Sequence, residues 1–329
     1  MKCINKWICL SLLIAVSCVS GCGKTSAAIE QPYDVYATAA DFGLSSNGTA
    51  EAKSYFASDL CVSEDVAIGT DSTDSQVAEG AGTFNLETNT VVYAKNLYER
   101  LYPASTTKIL TAYIALKYCD DLDAMVTVSE NAVNQASDSS VCNLKAGDVI
   151  RLRDLLYGLM LRSGNDAAVA IAEYISGDVD SFAALMNQEA AAMGATRSHF
   201  VNPNGLPDEN HYTCVYDMYL IFFNAVKNDT FVSIIGTTSY DVTYTDASGE
   251  AVTHTWENTN QYLTGNATTP DGFQIVGGKT GTTGEAGYCL VLYSYNPSGQ
   301  PIISIVFKAD GKSNLYLLMN EMLQLSLIH

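Results

Sequence analysis

Beyond its first two dozen positions the 329-residue chain has no apolar run of about 18 residues, which excludes a multi-spanning membrane protein. It has no Cys-x-x-Cys pair, and nine cysteines in this length are too sparse for a disulfide scaffold, so a zinc ribbon and a secreted knot are both excluded. Histidine is scarce as well. Only His199, His211, His254 and His329 occur, with no His-Glu-x-x-His pattern and no Gly-x-Ser-x-Gly elbow, so neither a metal site nor a Ser-His-Asp hydrolase is indicated. Basic residues number 17 against 36 acidic ones, a formal charge of -19 that repels phosphate backbones and argues against a nucleic-acid partner. What the chain does have is apolar material, 47% of its residues, and enough length for two average domains or one large domain with a tail.

Lys2 and Lys6 precede an apolar stretch, Trp7 to Val19, that has the length of a signal-peptide core and is too short to cross a bilayer comfortably. Val19-Ser20-Gly21-Cys22 follows and resembles the lipobox of bacterial lipoproteins, in which a cysteine after a small residue is lipidated and becomes the new N-terminus. Residues 1–21 are therefore expected to be a lipoprotein signal peptide and Cys22 the membrane anchor. The alternatives are an ordinary secretory signal with an incidental cysteine, or Cys18 as the modified residue. Cleavage ahead of Cys22 removes two lysines and no acid, which takes the net charge from -19 to -21. Cys61, Cys119, Cys142, Cys214 and Cys289 then remain; an odd number leaves at least one unpaired, and their apolar neighbours suggest buried small hydrophobes. Residues 22–57, rich in Ala, Ser, Thr, Gly and acids without a sustained period, read as an acidic flexible tether, with one folded domain over 58–329.

Within that domain Thr83 to Ala94 has a hairpin pattern around Glu87-Thr88-Asn89-Thr90. Helical spacing then takes over. Pro103 precedes Ser105 to Leu110 as a helix-start signal; Leu152, Leu155, Leu156, Leu159 and Met160 repeat at threes and fours, and a break at Ser163-Gly164-Asn165 leads to another helix. Asp178 or Asp180 is expected to cap a further helix that Gly194 ends. After Ser239 the period changes to two, with Tyr240-Val242-Tyr244 and Val252-His254-Trp256 flanking a turn. Strand-like runs at Phe273–Lys279, Gly287–Tyr295 and Pro301–Lys308 precede a closing helix over Leu315–Leu327. The pattern predicts an α/β (α+β) fold, one antiparallel sheet built from N- and C-terminal segments, flanked by helices and joined to a mainly helical subdomain.

Ser105-x-x-Lys108 at a helix start puts a hydroxyl and an amine on one face, beside backbone N–H groups that suit a developing oxyanion. Taken alone, the pair is common in helices. Ser163-Gly164-Asn165 at an interhelical break and Lys279-Thr280-Gly281 at a strand end complete a set that resembles the three motifs of the penicillin-binding protein and serine β-lactamase superfamily. Tyr93-Ala94-Lys95-Asn96, Leu155 to Met160, Asn202-Pro203-Asn204-Gly205-Leu206 and Asn258-Thr259-Asn260 narrow the resemblance to the low-molecular-mass penicillin-binding proteins, the D-alanyl-D-alanine carboxypeptidases. It runs from about Leu60 to the C-terminus.

That resemblance implies a β-lactamase/transpeptidase-like fold, no cofactor, a peptidoglycan stem peptide as substrate and β-lactams as covalent inhibitors. It makes Ser105 the nucleophile and Lys108 its general base, kept neutral by desolvation and by the nearby cation Lys279. Ser163 would relay a proton to the departing D-alanine, and Asn165 would hold the substrate amide. Lys279 and Thr280 would bind the terminal carboxylate, with Gly281 completing the motif, and the oxyanion would lie between the N–H groups of Ser105 and Thr282. Some members have an arginine beside the aspartate corresponding to Asp217 that helps bind the carboxylate; here the position is Tyr216, and Asp217 is expected to cap the following helix. Family members often carry an extra C-terminal β-domain, which is not expected here.

Rival readings are weaker. A class A β-lactamase needs a Glu-x-x-Leu-Asn loop, and the nearest segment, Ala183-Ala184-Leu185-Met186-Asn187, has alanine in place of the glutamate. Gly272 to Thr280 has one residue too many for a nucleotide P-loop and precedes a strand. A peptidoglycan-binding lipoprotein without activity is disfavoured by the intact nucleophile, whereas a D,D-endopeptidase or transpeptidase would use the same residues with another acceptor.

Overall fold

The computed structural model describes residues 57–327, so the expected signal peptide, Cys22 and all but the last residue of the expected tether lie outside the described residues. The expected hairpin forms as β1 (Ala78–Asn85) and β2 (Thr90–Lys95). Asn85 turns it, its Oδ1 accepting from the N–H groups of Glu87 at 3.0 Å and Thr88 at 3.2 Å. β1 pairs antiparallel with β9 (Pro301–Ala309), which continues through β8 (Gly287–Tyr295) to β7 (Gln274–Thr283), in the order β2-β1-β9-β8-β7. N- and C-terminal segments thus share one sheet, and β7 is its edge.

Alternation along β9 explains why the sheet is covered on both faces. Ile303, Ile305 and Phe307 join the larger core on the helical side, while Ile302 and Val306 join the opposite one. There α8 (Lys312–Leu325) lays down Leu315, Leu318, Met319, Met322 and Leu323, all buried, each contributing about 1.5–3 kcal/mol of transfer free energy. On the helical side stand α1 (Lys108–Tyr118), α4 (Asn165–Ser176), α5 (Val179–Ala192) and α6 (Val215–Ala225). Asp178 rather than Asp180 caps α5, accepting from Ser181 N–H at 2.7 Å.

Two expectations need correction. The structure contains a second, four-stranded sheet, β3 (Met125–Thr127), β4 (Val149–Arg151), β5 (Ser239–Thr245) and β6 (Ala251–Glu257). Three-residue strands are too short to show a period, so the sequence pattern alone assigns the β5–β6 hairpin to the main sheet. Asp217 is not a cap either. Cys214 holds the N-cap position of α6, and the Asp217 carboxylate instead accepts from Arg197 N–H at 2.8 Å and Ser198 Oγ at 2.7 Å. All five cysteines of the described region are free, and four of them are buried. No helix among the described residues is long and apolar enough to cross a membrane.

Candidate active site

Ser105 sits in a short 3-10 turn, Ala104–Thr107, that runs directly into α1. Ala104 has a left-handed φ of 47°, which swings the chain so that Ser105 opens a helix while facing a cleft. Gly205 makes this possible: a Cβ there would stand 1.8 Å from the Ala104 carbonyl oxygen, so only glycine allows the two backbones to meet. One turn on, the Lys108 side chain is wholly buried, with Nζ 3.0 Å from Ser105 Oγ. It also donates to Asn165 Oδ1 and to the Asn204 carbonyl, each at 2.7 Å. Burial, and then the charge of Lys279, hold its pKa well below the ordinary lysine value. A neutral amine has two N–H bonds and one lone pair; the two carbonyl oxygens take the N–H bonds, which leaves the lone pair for the Ser105 hydroxyl.

Ser163 and Asn165 come from the opposite wall. A π-helical turn, Gly158–Arg162, ends α3 (Leu152–Tyr157) and delivers Ser163 in a left-handed conformation with φ 62°. The second sheet braces this turn: Trp256 packs against Gly158, and Tyr240 stacks on Tyr157 with ring centroids 3.8 Å apart. Beside them the buried carboxylate of Asp166 accepts from the N–H groups of Cys142 at 2.8 Å, Ala167 at 2.9 Å and Leu144 at 3.1 Å, tying the 140–144 segment to the start of α4.

β7 forms the third wall. Lys279-Thr280-Gly281 was expected to end its strand, but β7 continues to Thr283 because Thr280 to Thr283 still pair with Gly287 to Leu290. Lys279 is 1% exposed and donates to Ser163 Oγ at 3.0 Å and to the Thr280 carbonyl at 2.9 Å. Burial alone draws its pKa down to about 7. Thr280 Oγ1 is 2.6 Å from Thr259 Oγ1. A Cβ on Gly281 would lie 3.0 Å from the Ser105 nitrogen, so the strand and the helix start are in close approach just where Thr282 follows.

Ser105, Ser163, Thr280, Gly281 and Thr282 line one cleft of about 240 Å³, and Ser105, Asn165 and Thr282 line a second of about 430 Å³. The nucleophile candidate stands where they meet. All eight motif residues expected from the sequence are thus gathered around these two clefts. Three contributors carried no assigned role: Asn204, through its carbonyl; Thr259, through its hydroxyl; and Lys312 at the start of α8, which lines the first cleft. The first two lie in segments whose resemblance was evident, whereas Lys312 has no motif around it. Tyr216 is remote from this chemistry, its hydroxyl donating to the Cys61 carbonyl at 2.9 Å. Among the described residues no group of three or more His, Cys, Asp or Glu is arranged to hold a metal ion.

Residues 69–311 match the family model for D-alanyl-D-alanine carboxypeptidase, Peptidase S11. The chain is 34% identical to the D-alanyl-D-alanine carboxypeptidase DacF of Bacillus subtilis strain 168, over 71% of this chain and 58% of that protein. It is 35% identical to a D-alanyl-D-alanine carboxypeptidase of Streptomyces sp. strain K15, over 71% of this chain and 81% of the relative. Among solved structures, the Streptomyces K15 DD-transpeptidase superposes with a TM-score of 0.71 at 31% identity, covering 77% of this chain and 98% of that one. A match across 243 consecutive positions that includes all eight motif residues settles the lineage: the chain belongs to the Peptidase S11 family of D-alanyl-D-alanine carboxypeptidases.

Proposed function

We propose that the protein is a serine-type D-Ala-D-Ala carboxypeptidase that removes the terminal D-alanine from peptidoglycan stem pentapeptides and is acylated by β-lactams at the same serine. The observation that carries this is the buried Lys108 amine, 3.0 Å from Ser105 Oγ, with both N–H bonds committed to carbonyl oxygens. Ser105 Oγ attacks the carbonyl carbon between the two D-alanines as its proton passes to Lys108 Nζ. The tetrahedral oxyanion is stabilised by the N–H groups of Ser105 and Thr282. Collapse breaks the C–N bond, and the leaving amine takes a proton through Ser163, which Lys279 orients at 3.0 Å. Water then attacks the ester, giving a proton to Lys108, which returns it to Ser105 Oγ as the C–O bond breaks and the shortened peptide leaves.

Recognition of the terminal carboxylate falls to Lys279 and Thr280, with Lys312 as an additional cation on the same cleft, while Asn165 holds the peptide amide. Among the described residues neither Lys108 nor Lys279 forms an ion pair with a carboxylate, so an anionic substrate group completes the charge balance of the site. An amine in place of water would turn the same acyl-enzyme toward transpeptidation, the activity named for the Streptomyces K15 neighbour. The substrate places the enzyme outside the cytoplasm, and Cys22 would attach it to the membrane by a lipid. Release of D-alanine from a pentapeptide, with and without an added amine acceptor, tests the reaction; no D-alanine in either assay would refute it. Membrane-fraction recovery of Cys22→Ser tests the anchor, which fails if that variant stays membrane-bound.

A further inference from the structure

His211 is 1% exposed and has no part in the steps above. Its Nδ1 accepts from Val201 N–H at 3.1 Å, which leaves the ring proton on Nε2 to be donated to Thr107 Oγ1 at 2.9 Å. Phe200 packs edge-on against the ring at 5.4 Å. Burial draws the His211 pKa down to about 4, so the ring is neutral and keeps this tautomer near neutral pH. The two residues it joins belong to different parts of the site. Thr107 immediately precedes Lys108, and Val201 opens the loop that reaches Asn204.

That loop is closed at its base by paired backbone bonds between His199 and Tyr212, each 2.8 Å, with Arg100 stacked over the Tyr212 ring. Its tip meets α1 through the Pro203 carbonyl, which accepts from Thr111 Oγ1 at 2.7 Å, and through the Asn204 carbonyl on Lys108. Tip contacts alone are two neutral acceptors on a strained approach beside Gly205. Among the described residues the imidazole is the side chain whose hydrogen bonds span from the loop's rising arm to the helix start at the level of Lys108.

We propose that His211 is a positioning residue for acyl transfer: by joining Val201 to Thr107 it clamps the 199–212 loop onto α1 and holds the Asn204 carbonyl on the Lys108 amine. The inference rests on Lys108 as the base of the proposed reaction. Without the clamp one N–H of the neutral amine loses its acceptor, and the lone pair is no longer confined to Ser105. Misplacement on that scale costs about 10- to 100-fold in rate. Binding that precedes acylation draws on the cleft wall at Ser163, Thr280 and Lys312, which the clamp does not touch, so the expected loss falls mainly on the acylation rate.

Stopped-flow acylation by a penicillin, resolved into the initial dissociation constant and the acylation rate constant, tests this in His211→Phe, His211→Gln and Thr107→Val. His211→Phe and Thr107→Val are expected to lose about 10-fold or more in acylation rate with the dissociation constant within about twofold of wild type. A glutamine amide offers one acceptor and one donor, so His211→Gln is expected to recover much of the rate. The double variant His211→Phe/Thr107→Val is expected to be no slower than either single variant. A folded His211→Phe that acylates within twofold of wild type, or single effects that multiply in the double variant, overturns the clamp. Should His211→Phe fail to fold, Thr107→Val decides by itself, and a rate within twofold of wild type overturns the proposal. Wild-type protein that never acylates would refute the proposed function instead.

Discussion

Replacing Lys279 by methionine removes a cation that the fold buries to 1% exposure with only a hydroxyl and a carbonyl for partners. Its pKa falls from 10.5 to about 7 on folding, so at about 1.4 kcal/mol per unit the protonated form carries a penalty of roughly 5 kcal/mol. The hydrogen bonds to Ser163 and Thr280 return part of this, and a net gain of about 2–4 kcal/mol is expected for Lys279→Met at neutral pH. The sign with pH follows from linkage. The unfolded chain binds more protons than the native one between pH 7 and pH 10.5, so the Lys279 contribution to stability rises across that window and is lost as pH falls through 7. Between pH 7 and pH 9 it amounts to about 2 kcal/mol. Lys108 is depressed in the same direction, in part by the Lys279 charge, so the difference between wild type and variant reports Lys279 together with its coupling to Lys108. Urea unfolding of both proteins at several pH values measures it. The expected outcome is a more stable, inactive variant with a shallower pH dependence. A variant less stable than wild type with an unchanged slope would refute the electrostatic account.

Lys312→Ala is expected to raise KM for a pentapeptide several-fold and leave acylation at saturation largely intact, because Lys312 lines the cleft proposed to take the terminal carboxylate and has no assigned part in the proton transfers. Steady-state kinetics check this, and an unchanged KM would remove Lys312 from recognition. Gly205→Ala is expected to cost more than about 3 kcal/mol, since its Cβ would overlap the Ala104 carbonyl at 1.8 Å with φ at +89°. Thermal melting reads the loss, and a near-wild-type midpoint would show that the loop can retreat from Ala104.

Chemistry was more legible than architecture. Ser105, Lys108, Ser163, Asn165 and Lys279 are read from short local patterns, and each pattern also encodes the local backbone that presents it: Pro103 before a helix, a break between helices, small residues beside a strand. The strands that join the two ends of the chain showed as short apolar runs between turns, whereas the period of two marked β5 and β6 of the second sheet. Contacts made at long range left no such trace. Trp256 lies 98 residues after the Gly158 it braces, and nothing local to either states the pairing. β3 and β4 are three residues each and exist only because neighbours complete them. His211 looked like a scattered histidine because its partners, Val201 and Thr107, are ordinary residues whose backbone and hydroxyl do the bonding. Asp217 had the residue type of a cap but sits three positions after Cys214, inside the first turn.

The central claim is that Ser105, activated by Lys108, carries the acyl group. Intact-mass spectrometry of the protein incubated with penicillin, followed by peptide mapping, tests it most directly. One adduct per chain on the peptide containing Ser105, absent from Ser105→Ala and strongly slowed in Lys108→Ala, is the predicted result. Wild-type protein that remains unmodified, or an adduct that persists in Ser105→Ala, would contradict the account.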